Sequence, residues 1–127
     1  MNFRALVTVP LVALALFGCS SSGDGKSDAT VPAGATLIKA IEGIAWDAKT
    51  YTATAVDGKV SLALEDDSSL PHNLHLLNAE NVDAGIALDV QGKGDVHSAD
   101  VALAPGTYQV ICTIAGHGNM KATLTVN

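Results

Sequence analysis

Two short β-type segments flank one loop near the end of the chain: TYQVIC at residues 107–112 and KATLTV at residues 121–126, joined by TIAGHGNM at residues 113–120. Both segments are rich in β-branched residues, and residues 122–126 alternate apolar with polar side chains, which is typical of a strand with one buried face. The loop brings Cys112, His117 and Met120 close together in sequence. The pattern therefore predicts two strands whose connection carries a thiolate, an imidazole and a thioether.

The rest of the chain from about Pro32 has the same β-type character. Asp57-Gly58 and Ala104-Pro105-Gly106 are turn signals between such segments. Residues 66–71 are predicted to form a polar loop, and residues 78–93 a longer segment with a short helix or an irregular excursion. Seven or eight short strands at this spacing predict an all-β fold, either a two-sheet sandwich or a small barrel. The remaining predicted strands are 36–41, 44–46, 50–54, 60–64, 72–77 and 96–103.

Composition limits the size of the fold and the class of partner. The 127 residues suggest one folded domain, and a core of Val, Leu, Ile and Ala is expected because 48% of residues are hydrophobic and only 4% aromatic. The net charge is -6, and the seven basic residues form no run. Nucleic acid is therefore excluded as a partner, since its binding needs a basic surface. A partner with a positively charged docking face stays open.

The N-terminus has the features of an export signal. Arg4 precedes an apolar stretch that ends at Phe17 and is too short for a comfortable transmembrane helix. Residues 16–19, LFGC, resemble the lipobox of bacterial lipoproteins and are followed by serines and a glycine. We therefore expect a lipoprotein signal peptide at 1–18, a lipidated Cys19 opening a flexible tether at 19–31, and a folded domain at 32–127. The alternative is an ordinary secretory signal in which Cys19 is incidental.

The loop side chains point to copper. Soft sulfur ligands beside imidazole select copper, and two histidines, one cysteine and a weak axial methionine define the blue-copper site. His72, at the start of a predicted strand, supplies the second histidine. His75 is its rival, but three residues along a strand reverse the side-chain direction and add roughly 10 Å. His75 is then a surface or loop-packing residue or a secondary metal contact, and His97 a solvated strand residue.

Three segments carry a resemblance to a known family: Pro71-His72-Asn73, residues 105–108 (PGTY) and residues 112–120 running into the last strand. On these the chain resembles the cupredoxins, the plastocyanin- and azurin-like blue-copper proteins, over essentially the whole domain. The resemblance implies a Greek-key two-sheet β-sandwich. It also implies that His72, Cys112 and His117 bind copper with Met120 as axial ligand, and that Asn73 braces the ligand loops. Only Gly118 and Asn119 separate His117 from Met120, a shorter spacing than is common in the family.

The function implied is one-electron transfer by a single Cu(I)/Cu(II) ion, outside the cytoplasm and at the membrane. Expected partners are redox proteins such as c-type cytochromes or membrane redox complexes, met transiently by a monomer. The alternative is copper binding for storage, delivery or homeostasis, although the Met-rich or His-rich tracts of dedicated carriers are lacking. A metal-free adhesion domain would leave the four spaced ligands as coincidence. No enzyme activity is expected, because the histidine clusters of multicopper oxidases are lacking too.

Overall fold

The computed structural model of the protein describes residues 30–127. The predicted signal peptide 1–18, Cys19 and most of the predicted tether 19–31 lie outside these residues. The described part forms strands and turns without an α-helix, and so contains no helix able to span a membrane. Its strands are β1 (Thr36–Ile41), β2 (Ala45–Trp46), β3 (Thr50–Ala53), β4 (Lys59–Asp67), β5 (His72–Leu77), β6 (Asp83–Val90), β7 (Val96–Ala102), β8 (Gly106–Ile111) and β9 (Lys121–Val126).

The strands form two mixed sheets packed as a sandwich. One sheet has the order β2-β1-β4-β7 and the other the order β3-β9-β8-β5-β6. β1 pairs in parallel with β4 and β3 in parallel with β9, while the other neighbours are antiparallel. The chain crosses between the sheets repeatedly, and β8 returns to lie beside β5 after β6 and β7. The predicted all-β, two-sheet Greek-key sandwich is confirmed.

The core between the sheets is mainly aliphatic, as the composition predicts. Alternate residues of β5 and β9 are buried, so that Leu74 and Leu76 pack in the same cluster as Leu124 and Val126. Trp46 and Tyr108 are the buried aromatic residues of the described part. Each fully buried aliphatic side chain contributes about 1.5–3 kcal/mol through removal of apolar surface from water. Burial along period-two strands therefore holds the sandwich together.

The prediction for residues 78–93 is wrong in part, because this segment contains an additional strand, β6, which brings the number of strands in the described residues to nine. Ile86, Leu88 and Val90 are buried while the residues between them are exposed. This is the alternation of an edge strand, and β6 pairs only with β5 in its sheet. Gly85 has a φ of 80° and lies where the register between β5 and β6 shifts, on the side of β6 that carries the extra residues. The glycine and the flanking acidic residues conceal the alternation in the sequence.

Strand β4 is longer than predicted and reaches into the expected polar loop 66–71. Its last residues pair with β1, with Ala40 opposite Asp66 and Ile41 opposite Asp67. Asp66 is buried although it is charged. Backbone pairing with β1 therefore overrides the turn tendency of the acidic residues and places a carboxylate inside the fold.

Candidate metal centre

His72 begins β5 and is almost completely buried. β5 pairs with β8 so that His75 lies opposite Ile111, and the antiparallel register continued beyond this pair carries His72 toward the residues after Ile111. The Nε2 atom of His72 lies 2.8 Å from Ser68 Oγ. Its Nδ1 atom is buried and has no hydrogen-bond partner within residues 30–127. One ring nitrogen is held by the protein, and the other is left for a ligand.

The pKa of His72 is lowered from its ordinary value. Burial is the main cause, and the nearby His117 adds to it, whereas the charge of Asp66 opposes it. Removal of the ring from water disfavours the charged imidazolium. The neutral imidazole favoured here is the form that binds metals.

Cys112 and His117 lie on the loop between β8 and β9. Cys112 directly follows β8, and Met120 directly precedes β9. Two turns compact the loop: the His117 amide donates to the Ile114 carbonyl at 3.0 Å, and the Met120 amide donates to the His117 carbonyl at 2.9 Å. Gly116 adopts a φ of 88°, which glycine reaches without steric cost. The loop is folded back so that its side chains meet those of the first histidine.

The donor atoms of His72, Cys112 and His117 all lie within 4.8 Å of one another. Cys112 Sγ is 3.5 Å from His117 Nδ1, and the two imidazole centroids are 4.8 Å apart with the rings inclined by 42°. Metal bonds to nitrogen and sulfur are about 2.0–2.3 Å long, so the donors of one ion lie up to roughly 4.6 Å apart, a separation close to the 4.8 Å found here. The cluster therefore has the dimensions of a mononuclear metal site.

Met120, the predicted axial ligand, is 1% exposed and lies in the same apolar cluster as Cys112. The turn bond to His117 fixes its backbone at the end of the ligand loop. The structure therefore brings the thioether-bearing residue to the same end of the sandwich as the three converging donors. Ligation by Met120 stays a prediction.

Asn73, for which the resemblance implies a bracing role, is hydrogen-bonded twice to Thr113. Its Nδ2 donates to Thr113 Oγ1 at 2.8 Å, and its Oδ1 accepts from the Thr113 amide at 2.8 Å. Asn73 follows His72 and Thr113 follows Cys112, so the two bonds tie together the backbones beside two donors. Such outer contacts fix the orientation of the metal-binding side chains.

The donor set fits copper. A thiolate and a thioether are soft ligands, and with two imidazoles they match the blue-copper set of two histidines, one cysteine and a weak methionine. The buried Nδ1 of His72, which has no partner among the described residues, shows that the residues fit a bound metal. Such a nitrogen costs free energy unless a ligand occupies it. His72, Cys112, His117 and Met120 thus form a candidate site for one copper ion.

Sequence reasoning missed the side chains behind His72. The sequence predicts a polar loop for Ser68 and Asp66, yet both are buried and hydrogen-bonded to each other. Glu42, from the β1–β2 turn, accepts hydrogen bonds from the Ser69 amide at 2.9 Å and the Ser69 hydroxyl at 3.3 Å. The available signal was the spacing of Asp66 and Ser68, because an Asp side chain readily binds backbone two residues later.

The other two histidines lie apart from the metal centre. His75 Nδ1 is 2.9 Å from Asp83 Oδ2 of β6, in agreement with the predicted surface or packing role. His97 is exposed on β7, and its Nδ1 accepts the amide of Asp89 at 2.9 Å. Within the described residues, neither belongs to the cluster of converging donors.

Solved structures share this architecture. Auracyanin A, titled a "blue" copper protein from the green thermophilic photosynthetic bacterium Chloroflexus aurantiacus, is 21% identical over 72% of this chain and 96% of its own, with a TM-score of 0.59. A reduced amicyanin variant is 20% identical over 76% of this chain and 86% of its own, with a TM-score of 0.55. A purple cupredoxin from Nitrosopumilus maritimus is 16% identical over 72% of this chain and 99% of its own, with a TM-score of 0.56.

No protein-family model matches the chain, and no curated protein matches it. The likeness therefore rests on the arrangement of strands, at sequence identities that show a common fold. The chain has the fold of the cupredoxins, with His72, Cys112 and His117 brought together at one end of its sandwich beside the loop residue Met120.

Proposed function

We propose that the protein is a mononuclear type 1 (blue) copper protein that carries single electrons. The observation that supports this most strongly is the convergence of His72, Cys112 and His117, whose donor atoms lie within 4.8 Å of one another inside the protein. Copper, when bound, supplies the chemistry by exchanging one electron between Cu(I) and Cu(II). The residues supply a fixed set of donors, and a centre that rearranges little on redox exchanges electrons quickly.

The surroundings of the donors support a rigid centre. Asn73 and Thr113 join the two ligand-bearing segments, and the two loop turns hold His117 and Met120. These contacts form between protein groups and restrain the segments that carry the donors. Preorganisation of this kind lowers the cost of holding a strained or compromise geometry.

The burial of the four proposed ligands favours an electron carrier over an enzyme. His72 and Met120 are each 1% exposed, and Cys112 and His117 are each 6% exposed. Metal-dependent catalysis needs an open position where a substrate or water binds. Four enclosed side chains leave little space for one, whereas an electron can pass without direct contact between partner and metal.

We propose that partners dock on the surface around the His117 loop. Ala115 and Gly118 are exposed there, and Leu70, close to the first ligand in sequence, is 41% exposed. Small apolar surfaces suit the short-lived encounters of redox proteins such as c-type cytochromes or membrane redox complexes. The acidic chain, with a net charge of -6, favours partners with a basic docking face. The carrier is proposed to act as a monomer.

We further propose that the domain works outside the cytoplasm, tethered to a membrane by a lipid on Cys19. The support is the sequence LFGC at residues 16–19 with the serine-rich segment that follows. A tether raises the local concentration of the carrier near membrane redox complexes without a tight interface. Cys19→Ala should move the protein from the membrane fraction to the soluble fraction. Retention of the variant in membranes would contradict the anchor.

An electron carrier gives up an electron and keeps its copper, whereas a protein for copper storage or delivery gives up the copper ion itself. In stopped-flow mixing, the reduced copper form should reduce an excess of an oxidised c-type cytochrome while the copper stays bound. The copper form of a carrier gains its visible band on oxidation and loses it again on re-reduction, and this cycle can be repeated. Transfer of copper to an acceptor chelator or protein, without reversible electron exchange, would instead favour a role in copper storage, delivery or homeostasis.

A further inference from the structure

Three buried side chains form a chain of hydrogen bonds behind the metal centre. Asp66, Ser68 and His72 are each 1% exposed. Ser68 Oγ lies 2.8 Å from Asp66 Oδ1 and 2.8 Å from His72 Nε2. The Ser68 amide donates to the same Asp66 oxygen at 2.8 Å. A charged group is rarely buried to this extent, so its position calls for a reason.

The positions of the protons in this chain follow from the donors and acceptors available. The Asp66 carboxylate and the Leu70 carbonyl can only accept, and the Ser68 hydroxyl donates its proton to Asp66 Oδ1 at 2.8 Å, the shorter contact, with the Leu70 oxygen at 3.1 Å as the second acceptor. The Ser68 oxygen then has lone pairs to offer, and the Leu70 amide donates to one of them at 3.2 Å. The remaining contact, with His72 Nε2, is satisfied when that nitrogen carries the proton. His72 is then the Nε2–H tautomer, and its Nδ1 keeps a lone pair.

The opposite tautomer carries two penalties. If His72 Nε2 lacked a proton, the Ser68 hydroxyl would have to turn toward it, and the Ser68 oxygen would face Asp66 Oδ1 at 2.8 Å without a proton between them. His72 Nδ1 would then be a buried N–H without a partner. An unsatisfied buried donor carries the full desolvation penalty of that group. Both penalties disfavour the tautomer that could not bind a metal through Nδ1.

We propose that Ser68, backed by Asp66, is a positioning residue that fixes the tautomer and ring orientation of His72 and so presents Nδ1 to the site shared with Cys112 and His117. This inference deepens the proposed function and rests on it for the identity of the ligand. His117 makes no comparable bond through Nε2 within residues 30–127. The two histidines therefore differ. His72 is oriented by the hydrogen-bond chain through Ser68, which we call the Ser68 relay, whereas His117 is oriented by the turns of its own loop.

The backbone around the relay is itself held from two sides. The Asp66 amide donates to the Asp95 carbonyl at 2.9 Å, and the Gly94 amide donates to the Asp66 carbonyl at 2.7 Å. On the other side, the Glu42 carboxylate accepts from Ser69. Asp66 Oδ2 is buried without a hydrogen-bond partner among the described residues, so this carboxylate carries a desolvation cost. Violations of local rules such as this one are expected at functional or strained sites.

The first test reads the tautomer directly in the metal-free protein. Long-range ¹H–¹⁵N correlation spectra of the full chain, labelled with ¹⁵N in its imidazoles, distinguish Nδ1–H from Nε2–H. We expect His72 to be the Nε2–H tautomer alone in the wild type. An Nδ1–H tautomer, or a mixture, would overturn the proposal, and this measurement depends on no variant.

A set of variants tests the role of the hydroxyl. Ser68→Ala should give a mixture of His72 tautomers and weaken copper binding by about 10- to 100-fold, the usual effect of losing such an outer contact. Ser68→Thr, which restores a hydroxyl, should recover much of both. Ser69→Ala is the matched control, because it removes the neighbouring hydroxyl, which contacts Glu42 and not His72. It should leave the tautomer and the affinity unchanged.

The two proposals fail in different ways. A blue wild-type protein in which Ser68→Ala keeps both the wild-type tautomer and the wild-type copper affinity would overturn the positioning role alone. A wild type with the Nε2–H tautomer that binds no copper would overturn the proposed function and leave the tautomer assignment standing.

Discussion

Asn73 and Thr113 are joined by two hydrogen bonds of 2.8 Å, which tie the start of β5 to the loop after β8. The side chain of one residue serves both the backbone and the side chain of the other. Because each residue directly follows a proposed ligand, this pair couples the stability of the fold to the geometry of the metal centre. The coupling can be measured without metal.

Asn73→Ala should lower the free energy of unfolding of the metal-free protein by about 1–3 kcal/mol, because it removes both bonds at roughly 0.5–1.5 kcal/mol each. Thr113→Val is the matched control, since it removes only the bond to Oγ1 and keeps the bond from the amide. It should cost about half as much. Urea denaturation measures both values. A loss in Thr113→Val equal to or greater than that in Asn73→Ala would contradict the pairing.

Cys112→Ala should abolish the visible charge-transfer band of the copper form while leaving the sandwich folded. The thiolate gives rise to the band, whereas the loss of one small buried side chain costs only about 1 kcal/mol. Visible absorption after addition of Cu(II) and far-ultraviolet circular dichroism check the two halves of this prediction. A coloured Cys112→Ala protein would assign the band to another donor.

Met120→Leu should keep the colour and raise the reduction potential. The two side chains have similar volumes, so the buried position should tolerate the change at a cost below about 1.5 kcal/mol. Loss of a weak axial sulfur donor destabilises the oxidised ion more than the reduced ion, and the axial ligand tunes the potential of such sites. An equilibrium redox titration gives the shift. A potential equal to that of the wild type would show that Met120 does not ligate.

Asp83 should make the stability of the metal-free protein depend on acid pH. A hydrogen bond from the Gly85 amide, and secondly one from His75, hold the pKa of Asp83 below its ordinary value of 3.8. Because the folded-state pKa is the lower one, the stabilisation is complete above the unfolded-state pKa. It is lost as the pH falls through the folded-state pKa.

The difference in unfolding free energy between the wild type and Asp83→Asn should therefore shrink when urea titrations are moved from pH 7 to a pH well below the ordinary Asp83 pKa of 3.8. His75→Gln should keep most of this pH dependence, because the Gly85 bond is the larger cause. If His75→Gln removed the dependence as fully as Asp83→Asn does, the ion pair, not the backbone bond, would be the source.

Much of the fold was predictable from the sequence because burial follows strand period. Strands β5 and β9 can be predicted from the alternation of side chains along them, and their buried leucines belong to the observed core. Strand β6 escaped prediction because Gly85 and the acidic residues of its exposed face dilute the signal of Ile86, Leu88 and Val90. An edge strand needs only one apolar face, and in β6 the alternation of buried and exposed residues begins only at Ile86, after the exposed Gly85 at the bulge.

The candidate site was predictable to a similar extent and for a different reason. Copper chemistry requires particular side chains, so Cys112, His117 and Met120 stand out in one loop, and Asn73 follows the first histidine. Ser68 and Asp66 carry no such signature, because serine and aspartate near the end of a strand usually mark a solvated turn. Their role depends on burial, and burial of Asp66 follows from the pairing of β4 with β1, which no local pattern reveals.

The central claim is tested most directly by titration of the purified, reduced protein with Cu(II), followed by visible absorption. We predict an intense thiolate-to-copper band that grows until one copper is bound per chain and then stays constant. Absence of the band in protein whose Cys112 is shown to be a free thiol would contradict the blue-copper assignment.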